Sequence, residues 1–207
     1  IWQPLIGQHK MLTFGLDKTA DVMALDCQTT PAGSHFMVQL DGVNHFVSLP
    51  LPGRHNVANA LAAMTVCHAL GIEPAAMIKG LASIKAVPHR LQLLGTRDGI
   101  SYVNDSISTT PHASLAALEV YAGRRVAILV GGHDRGLDWQ AFADAMRLGP
   151  PAAVVTLGQN GPRIHALLEG VAGGAGFALR QARDLEEAVA QAQSLLDGEG
   201  VILLSPG

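Results

Sequence analysis

The sequence is poor in aromatic side chains and in charge. Aromatic residues make up 4% of the 207 residues, so alanine, valine, leucine and glycine must fill the core. Charged residues contribute 15%, which is below the usual share for a soluble domain, and the formal net charge is -3. A weakly negative chain gives no electrostatic case for binding nucleic acid or an anionic membrane. We therefore expect neither a nucleic-acid partner nor a membrane partner.

Cysteine and long apolar segments are scarce as well. Cys27 and Cys67 lack the spacing of metal ligands, and buried thiols of a reducing compartment account for both. No apolar run is long enough to span a bilayer, and no signal-peptide pattern is present. We therefore expect a cytoplasmic protein. Because the sequence begins without a methionine and stops at Gly207, directly after an apolar run, we also expect it to be a piece of a longer chain.

The first part of the chain is predicted to be β-rich and then helical. Apolar and polar residues alternate on both sides of Asp41 and Gly42, which is a strong signal for a two-residue hairpin turn. A loop is expected at 29–33, and strands are expected at 11–14, 22–25, 35–40 and 45–49. Helices are predicted at 55–70 and 74–83, with Gly71 placed to end the first of them. These elements form one predicted domain, residues 1–87.

From residue 88 onwards, strands and helices alternate. The segment 126–130 is wholly apolar, as in a buried parallel strand, and the glycine-rich segment 170–176 is predicted to be a loop. Further strands are predicted at 90–95, 100–103, 153–157, 177–179 and 201–204. Helices are predicted at 111–122, 139–146, 162–168 and 185–196. This alternation predicts a doubly wound, mostly parallel α/β sheet in a second domain, residues 88–207.

One stretch of the second domain, residues 100–111, places a polar cluster between a strand and a helix. Thr110 and Pro111 suit the N-cap and the first position of the helix. The polar residues before them are Asn104, Asp105, Ser106, Ser108 and Thr109. Ligands of open α/β sheets bind beyond the carboxyl ends of the strands, so this cluster is a candidate site. Asp105 has three interpretations: an acceptor for ribose hydroxyls, a Mg²⁺ ligand or a cap at the helix start.

Three other stretches carry candidate binding residues. Asn56 and Asn59 are three apart at a helix start, so their amides can face a purine or a ribose-phosphate; capping is the alternative for Asn56. Arg90 can hold a phosphate with its planar guanidinium, or it is a solvated linker residue. Gly131-Gly132 lets the backbone approach a ligand, with Arg135 adding a cation, or it only reverses the chain.

Several motifs of common enzyme classes are missing from the sequence. There is no Walker A loop and no glycine spacing of a dinucleotide fingerprint. There is no nucleophile elbow of a serine hydrolase, and no histidine pair has zinc-ligand spacing. The candidate residues therefore point to binding through positioned polar groups rather than to one of these classes.

Five short motifs follow one another along the chain. They are Gly-Arg-His-Asn-Val-Ala-Asn-Ala at 53–60, His-Arg at 89–90, Asn-Asp-Ser at 104–106, Gly-Gly at 131–132 and Leu-Leu-Ser-Pro at 203–206. In their order and spacing they resemble the Mur ligase family, the ATP-dependent amino-acid ligases of peptidoglycan synthesis. The resemblance is closest to the glutamate-adding, MurD-type branch and runs from about residue 49 to residue 207. The resemblance implies that residues 1–87 are the end of a P-loop-type central ATPase domain. Residues 88–207 would be a C-terminal Rossmann-like domain.

The resemblance also implies roles for individual residues. The residues implied to bind the nucleotide are Asn56, Asn59, Arg90 (at the phosphates) and Asp105 (at the ribose). The residues implied to hold the incoming glutamate are Thr109, Arg135 (at a carboxylate) and Ser205. It assigns no residue here a catalytic role or a place as a metal ligand.

The implied reaction joins glutamate to UDP-MurNAc-L-alanine through an acyl phosphate, with ATP and Mg²⁺ as cofactors, in a monomer. It depends on in-line positioning and on neutralisation of phosphate charge. Because the P-loop, the Mg²⁺ ligands and the carbamylated lysine of the family are not in this sequence, this chain alone is not expected to catalyse it.

Two positions differ from the common pattern of this branch. Ile107 stands where a lysine usually follows Asn-Asp-Ser, and Arg135 stands where a lysine usually serves the amino-acid carboxylate. D-glutamate is the family default, and both differences fit a variant that uses L-glutamate. The alternatives are a folylpolyglutamate-synthetase-like ligase and a non-catalytic α/β binding module in which the Asn-Asp-Ser turn is only a cap.

Overall fold

The computed structural model describes residue 7, residues 11–16 and residues 19–207. The chain divides into two compact units, Ile1–Lys85 and Ala86–Gly207. Each unit is built on one β-sheet with helices packed against it. The α/β fold class predicted from the sequence is confirmed. No helix within the described residues has both the length and the apolar character needed to cross a membrane.

The first unit contains a four-stranded sheet. The strands, in their order across the sheet, are β1 (Phe14–Gly15), β2 (Val22–Thr30), β3 (Gly33–Leu40) and β4 (Val43–Leu49). β2, β3 and β4 are antiparallel neighbours, and β1 is parallel to β2. Asp41 and Gly42 form the predicted hairpin turn, with φ values of 48° and 79°, as its tight geometry requires. The predicted loop at 29–33 is reduced to a turn at Pro31 and Ala32, because β2 continues to Thr30.

Two helices pack on one face of this sheet. They are α1 (Arg54–Ala69) and α2 (Pro74–Ala82). Their buried side chains form one core with the inward residues of the strands, among them Val57, Leu61, Phe36 and Val38. Gly71, at φ 75°, ends α1 as predicted: its N–H donates to the His68 carbonyl at 2.9 Å, and that of Ile72 donates to Cys67 at 3.0 Å. These two bonds form a Schellman motif.

The second unit contains a six-stranded sheet. The strands are β5 (Gln92–Arg97), β6 (Ile100–Asn104), β7 (Val126–Val130), β8 (Ala153–Thr156), β9 (Ala178–Gln181) and β10 (Gly200–Leu204). Their order across the sheet is β5-β6-β10-β7-β8-β9. Only the pairing of β5 with β6 is antiparallel; the other pairings are parallel. The mostly parallel sheet predicted from the alternation of elements is therefore confirmed.

Helices cover both faces of the second sheet. The helices are α3 (Pro111–Val120), α4 (Gln140–Leu148), α5 (Gly161–Ala175) and α6 (Leu185–Leu196). α3, α4 and α5 share a core with Ile128 and Val130, whereas α6 shares a core with Ala127 and Leu129. Because successive strand residues point to opposite faces, a strand covered on both sides is apolar throughout. This explains the unbroken apolar run of β7.

The prediction of a loop at 170–176 is wrong. α5 continues to Ala175 and ends at Gly176, which has a φ of 77°. Val171 lies in the same core as Ile164 and Leu168, a spacing that fits one face of a helix. Burial of this face outweighs the cost of about 0.5–1 kcal/mol for each glycine in a helix interior. The bounds of several other elements differ from the prediction by a few residues.

Candidate functional site

The polar residues singled out in the second unit meet beyond the carboxyl ends of three adjacent strands. β10 lies between β6 and β7, so the loops that follow these strands are side by side. The Asp105 N–H donates to Leu204 at 2.8 Å, that of Ser205 to Leu129 at 3.1 Å, and that of Gly131 to Pro206 at 2.8 Å. We call the residues of these three loops (104–109, 131–137 and 205–206) the polar edge.

Asp105 is the buried centre of the polar edge. It is 3% exposed, and its Oδ1 accepts the Leu91 N–H at 3.0 Å. Its Oδ2 accepts the hydroxyl of Ser108 at 2.5 Å and that of Ser205 at 2.9 Å. Three protein donors thus satisfy both oxygens of this buried carboxyl group. Asp105 thus joins three separate segments of the second unit.

The interpretation of Asp105 as a helix cap is wrong. The N-cap of α3 is Thr110, whose side chain accepts the Ala113 N–H at 3.3 Å, and Pro111 occupies the first turn. Both assignments agree with the sequence prediction. The Asn-Asp-Ser turn therefore has a structural role different from capping, since its carboxylate holds Leu91 and Ser205 in place.

Arg90 is presented by a segment bonded to the polar edge. Its neighbours His89 and Leu91 have φ values of 65° and 45°, a region that costs a non-glycine residue on the order of 1–3 kcal/mol. The His89 carbonyl accepts the Ile107 N–H at 3.3 Å, and the Leu91 N–H is bonded to Asp105. The backbone of this segment is thus held in place, while the Arg90 side chain is exposed. Arg90 is therefore an exposed side chain on a backbone segment with defined hydrogen bonds.

Asn104 contacts both its own turn and the segment that presents Arg90. Asn104 Oδ1 accepts the Ser106 N–H at 3.0 Å, so the amide nitrogen is the group 3.0 Å from His89 Nδ1. This contact adds a third link between the segment that presents Arg90 and the polar edge, beside the bonds at Ile107 and Leu91.

Thr109 and Arg135 are two exposed members of the polar edge. Thr109 directly precedes the cap residue of α3, and Arg135 lies in the loop after β7. Within the described part of the chain, no carboxylate lies within ion-pair distance of the Arg135 guanidinium. Both side chains are available to a ligand.

The loop that carries Arg135 is held by an arginine that the sequence analysis did not identify. Arg163, on α5, donates from Nη2 to Asp134 Oδ1 at 2.8 Å and from Nη1 to the Leu137 carbonyl at 3.1 Å. Asp134 Oδ1 also accepts the Gly136 N–H at 2.9 Å. The Gly136 N–H, and then the Arg163 charge, lower the pKa of Asp134 below its ordinary value of 3.8. No local pattern links Arg163 to this loop, because the contact spans 29 residues.

Gly131 and Gly132 differ in whether the structure has room for a side chain. A Cβ at Gly131, which has a φ of 103°, would overlap the Leu157 carbonyl oxygen. A Cβ at Gly132 would make only an ordinary 3.8 Å contact with Pro206. Gly131 is therefore required for close approach of the loop after β7 to the loop after β8. The structure explains this glycine without a ligand.

Ser205 is placed inside the polar edge rather than on its surface. Its exposed fraction is 0%, its hydroxyl is donated to Asp105, and its carbonyl accepts the Ser114 hydroxyl at 2.9 Å. A direct contact between this hydroxyl and a ligand requires the hydroxyl to leave Asp105. In the structure the Ser205 hydroxyl helps to hold the Asp105 side chain in place by this hydrogen bond.

Asn56 and Asn59 lie in the first unit, on successive turns of α1. Asn56 is buried and its Nδ2 donates to the Pro52 carbonyl at 2.7 Å, whereas Asn59 is exposed. The N-cap of α1 is Gly53. The predicted N-cap role of Asn56 is therefore wrong. An N-cap side chain accepts an N–H of the first turn, whereas the Asn56 amide donates to the carbonyl of Pro52, which precedes the helix. One donor and the oxygen of the Asn56 amide remain for other partners.

The described residues do not fit a Mg²⁺ site. They contain no group of three or more histidine, cysteine or acidic side chains that could hold a metal ion. Asp105, the one acidic residue predicted as a possible ligand, directs both carboxylate oxygens to protein donors. No step of the chemistry below is therefore assigned to a metal bound by these residues.

The second unit has the architecture of a ligand-binding domain of the open α/β class, with its polar residues beyond the carboxyl ends of the central strands. Residues 89–207 match the family model described as the glutamate ligase domain of Mur ligases, and residues 5–67 match the Mur ligase middle domain. The first match alone covers more than half of the chain. The chain belongs to the Mur ligase family.

Three relatives with similar sequences carry the names of glutamate ligases. UDP-N-acetylmuramoyl-L-alanine--L-glutamate ligase from Xanthomonas axonopodis pv. citri is 52% identical over 183 residues, which are 86% of this chain and 39% of the relative. The protein of the same name from Xanthomonas euvesicatoria pv. vesicatoria is 58% identical over 160 residues, which are 77% of this chain and 34% of the relative. UDP-N-acetylmuramoylalanine--D-glutamate ligase from Paraburkholderia xenovorans is 38% identical over 159 residues, 77% of this chain and 30% of the relative. The chain thus spans well under half the length of these relatives.

Solved structures of Mur ligases share the fold. MurF from Acinetobacter baumannii superposes with a TM-score of 0.79 at 23% identity, over 99% of this chain and 45% of that protein. MurC from Thermotoga maritima gives a TM-score of 0.71 at 24% identity, over 95% of this chain and 44% of that protein. At this identity the similarity establishes the fold alone.

Proposed function

We propose that the protein to which this chain belongs is an ATP-dependent ligase that adds glutamate to UDP-MurNAc-L-alanine. The observation that carries the proposal is the identity of 52–58% with relatives named as ligases for this substrate pair. Two exposed cations of the second unit, Arg90 and Arg135, suit the two anions of such a reaction, a nucleotide phosphate and an amino-acid carboxylate.

Residues 1–87 are proposed to be the end of the central ATPase domain and residues 88–207 the amino-acid ligase domain. Asn56 and Asn59 are proposed to contact the nucleotide. Exposed Arg90 is proposed to contact its phosphates. The proposed contact of Asp105 with the ribose hydroxyls needs a change in its surroundings, since its carboxylate accepts three protein donors.

Thr109 and Arg135 are proposed to hold the incoming glutamate, with the Arg135 guanidinium on a carboxylate. Their exposure at the polar edge supports this role. Ser205 is proposed to belong to the same glutamate site as Thr109 and Arg135. Because its hydroxyl donates a hydrogen bond to Asp105, its proposed contribution is to keep the wall of the site in place.

The proposed chemistry has two steps. The carboxylate of UDP-MurNAc-L-alanine attacks the γ-phosphorus of ATP, which forms an acyl phosphate and releases ADP. The neutral amine of glutamate then attacks the acyl carbon, and inorganic phosphate leaves from the tetrahedral intermediate with loss of one proton from nitrogen. The second unit would contribute to both steps by orienting the reactants and neutralising their charge.

L-glutamate is the proposed amino-acid substrate. The support is the higher identity with the L-glutamate ligases, 52–58%, than with the D-glutamate ligase, 38%. ATP and Mg²⁺ are the proposed cofactors, with the Mg²⁺ ligands assigned to parts of the protein other than the residues described here. A cytoplasmic monomer is proposed as the working form.

The test is a product assay on the full-length protein. ATP and UDP-MurNAc-L-alanine are supplied with L-glutamate or D-glutamate in parallel, and phosphate release and the mass of the product are measured. Turnover that requires both UDP-MurNAc-L-alanine and L-glutamate is expected. Equal turnover with a folate in place of the UDP-sugar would support the folylpolyglutamate-synthetase-like alternative and refute the proposal. Exclusive use of D-glutamate would refute only the assigned stereoisomer.

A further inference from the structure

The turn that carries Arg135 is fixed on both sides of this residue. On one side the Asp134 N–H donates to Gln159 Oε1 at 3.2 Å. On the other side the Gly136 N–H donates to Asp134 Oδ1 at 2.9 Å, which closes a tight side-chain turn around Arg135. Arg135 therefore extends from a short segment whose two ends have defined bonds.

Arg163, which is not part of this turn, links its two ends by hydrogen bonds. Its two terminal nitrogens reach the Asp134 carboxylate at 2.8 Å and the Leu137 carbonyl at 3.1 Å. The planar guanidinium fixes the direction of both bonds at once. A lysine has one terminal nitrogen and cannot reproduce this fork. Arg163 lies on α5, the helix whose core residues include Ile164 and Leu168, so it connects the turn to a rigid element.

Arg163 and Arg135 differ in the protein partners of their guanidinium groups. Arg163 is occupied by Asp134 and Leu137, whereas the Arg135 guanidinium has no acidic partner in the part of the chain that is described. A mobile loop would lose conformational entropy when Arg135 captured an anion. A turn held before binding avoids most of that loss. The arrangement thus favours tight binding of an anion by Arg135 without the other arginine touching it.

We propose that Arg163 is a positioning residue for glutamate: by clamping residues 134–137 it sets the place at which Arg135 meets a glutamate carboxylate. This inference rests on the proposed function, in which Arg135 contacts glutamate. It adds a residue of α5 that does not touch substrate and yet determines affinity for one substrate only.

The test compares steady-state kinetics of full-length Arg163→Gln with the wild-type enzyme. We expect the KM for glutamate to rise roughly tenfold, with kcat and the KM for ATP changed by less than about threefold. Arg135→Gln is expected to raise the same KM at least as much. The double variant should be no worse than Arg135→Gln alone, because Arg163 acts only through Arg135. Arg163→Lys should fall between Arg163→Gln and the wild type.

The matched control is Arg183→Gln. Arg183 makes an ion pair with Glu187 at the same 2.8 Å distance. It lies in the loop after β9, and β8 lies between β9 and β7 in the sheet. All kinetic constants of this variant should match the wild type. If Arg163→Gln does not fold, as judged by thermal unfolding, Asp134→Asn removes the other partner of the clamp and should give the same rise in the KM for glutamate.

Two results would overturn the inference. One is an unchanged KM for glutamate in Arg163→Gln while Arg135→Gln raises it; the other is a double variant whose defect is the product of the two single defects. Failure of the proposed function looks different. In that case the wild-type enzyme itself shows no ADP formation that depends on glutamate.

Discussion

The Ser205 hydroxyl donates to the Asp105 carboxylate at 2.9 Å and so joins the ends of β10 and β6, which are 100 residues apart in the sequence. The same carboxylate holds the Leu91 N–H and with it the backbone on which Arg90 is presented. The buried Asp105 side chain therefore holds together the part of the second unit that contains Arg90 and Ser205, two of the proposed binding residues. Its removal should affect both stability and the placement of Arg90.

Asp105→Asn should strongly destabilise the second unit. An amide has one acceptor oxygen and would turn a donor towards at least one of the three donors now bonded to the carboxylate. Loss of charge-assisted bonds and an unsatisfied buried donor should lower the free energy of unfolding by about 3 kcal/mol. Urea unfolding can be followed by fluorescence of Trp139 in a Trp2→Phe background, since the sequence has only two tryptophans.

Ser106→Ala is the control for this prediction. Ser106 is the next residue along the chain, and its side chain is exposed. The change should alter the free energy of unfolding by less than about 0.5 kcal/mol. A similar cost for both variants would mean that the bonds to Asp105 contribute little, contrary to the prediction.

Gly131→Ala and Gly132→Ala should differ sharply although the residues are adjacent. The first introduces a Cβ that overlaps the Leu157 carbonyl at a φ of 103°, whereas the second meets only Pro206 at 3.8 Å. We expect a loss of about 3 kcal/mol or more for Gly131→Ala and less than about 1 kcal/mol for Gly132→Ala. Thermal unfolding of both variants measures the difference. Equal effects would argue against the close approach of the two loops.

Gly173→Ala and Gly174→Ala should stabilise the second unit. Both glycines lie inside α5, and a Cβ at either position meets no other atom within 4 Å. Each substitution should add about 0.5–1 kcal/mol, because alanine loses less backbone entropy in a helix than glycine does. Gly176→Ala is the opposing control: its φ of 77° makes a Cβ unfavourable by about 1 kcal/mol. If 170–176 were a loop, neither stabilising effect would be seen.

Asp134 should contribute to the acid sensitivity of the second unit. Its pKa is lowered in the folded state, first by the Gly136 N–H and then by Arg163. A lowered pKa means stability that is present above the ordinary value of 3.8 and is lost as the pH falls through the folded value. The stability difference between the wild type and Asp134→Asn should therefore be larger at about pH 6 than at about pH 3.

A nuclear magnetic resonance titration of the Asp134 carboxyl separates the two causes of its lowered pKa. In Arg163→Gln the pKa should rise but stay below the ordinary value, since the Gly136 N–H is the larger cause. A complete return to the ordinary value would show that the turn opens without Arg163. No change at all would show that the two side chains do not interact in solution.

Features set by residues close in sequence were predicted well. The turn at Asp41 and Gly42, the cap at Thr110 and the helix end at Gly71 each depend on backbone preferences and bonds within a few residues. The alternation of elements likewise fixed the class of the second sheet, because parallel strands need helical crossovers between them. Such signals are local and can be read without knowing what packs on what.

Features decided by packing were missed or misread. The glycines at 170–176 continue a helix because Val171 is buried in a core formed by distant elements. Asp105 is a buried acceptor and Ser205 is its donor because β10 lies between β6 and β7 in the sheet. Arg163 reached Asp134 across 29 residues. The sequence by itself determined most of the elements, the class of the second sheet and the polar residues at strand ends. Only the tertiary structure decided which of those residues face solvent and which hold one another, because burial and long-range hydrogen bonds depend on neighbours that no local pattern specifies.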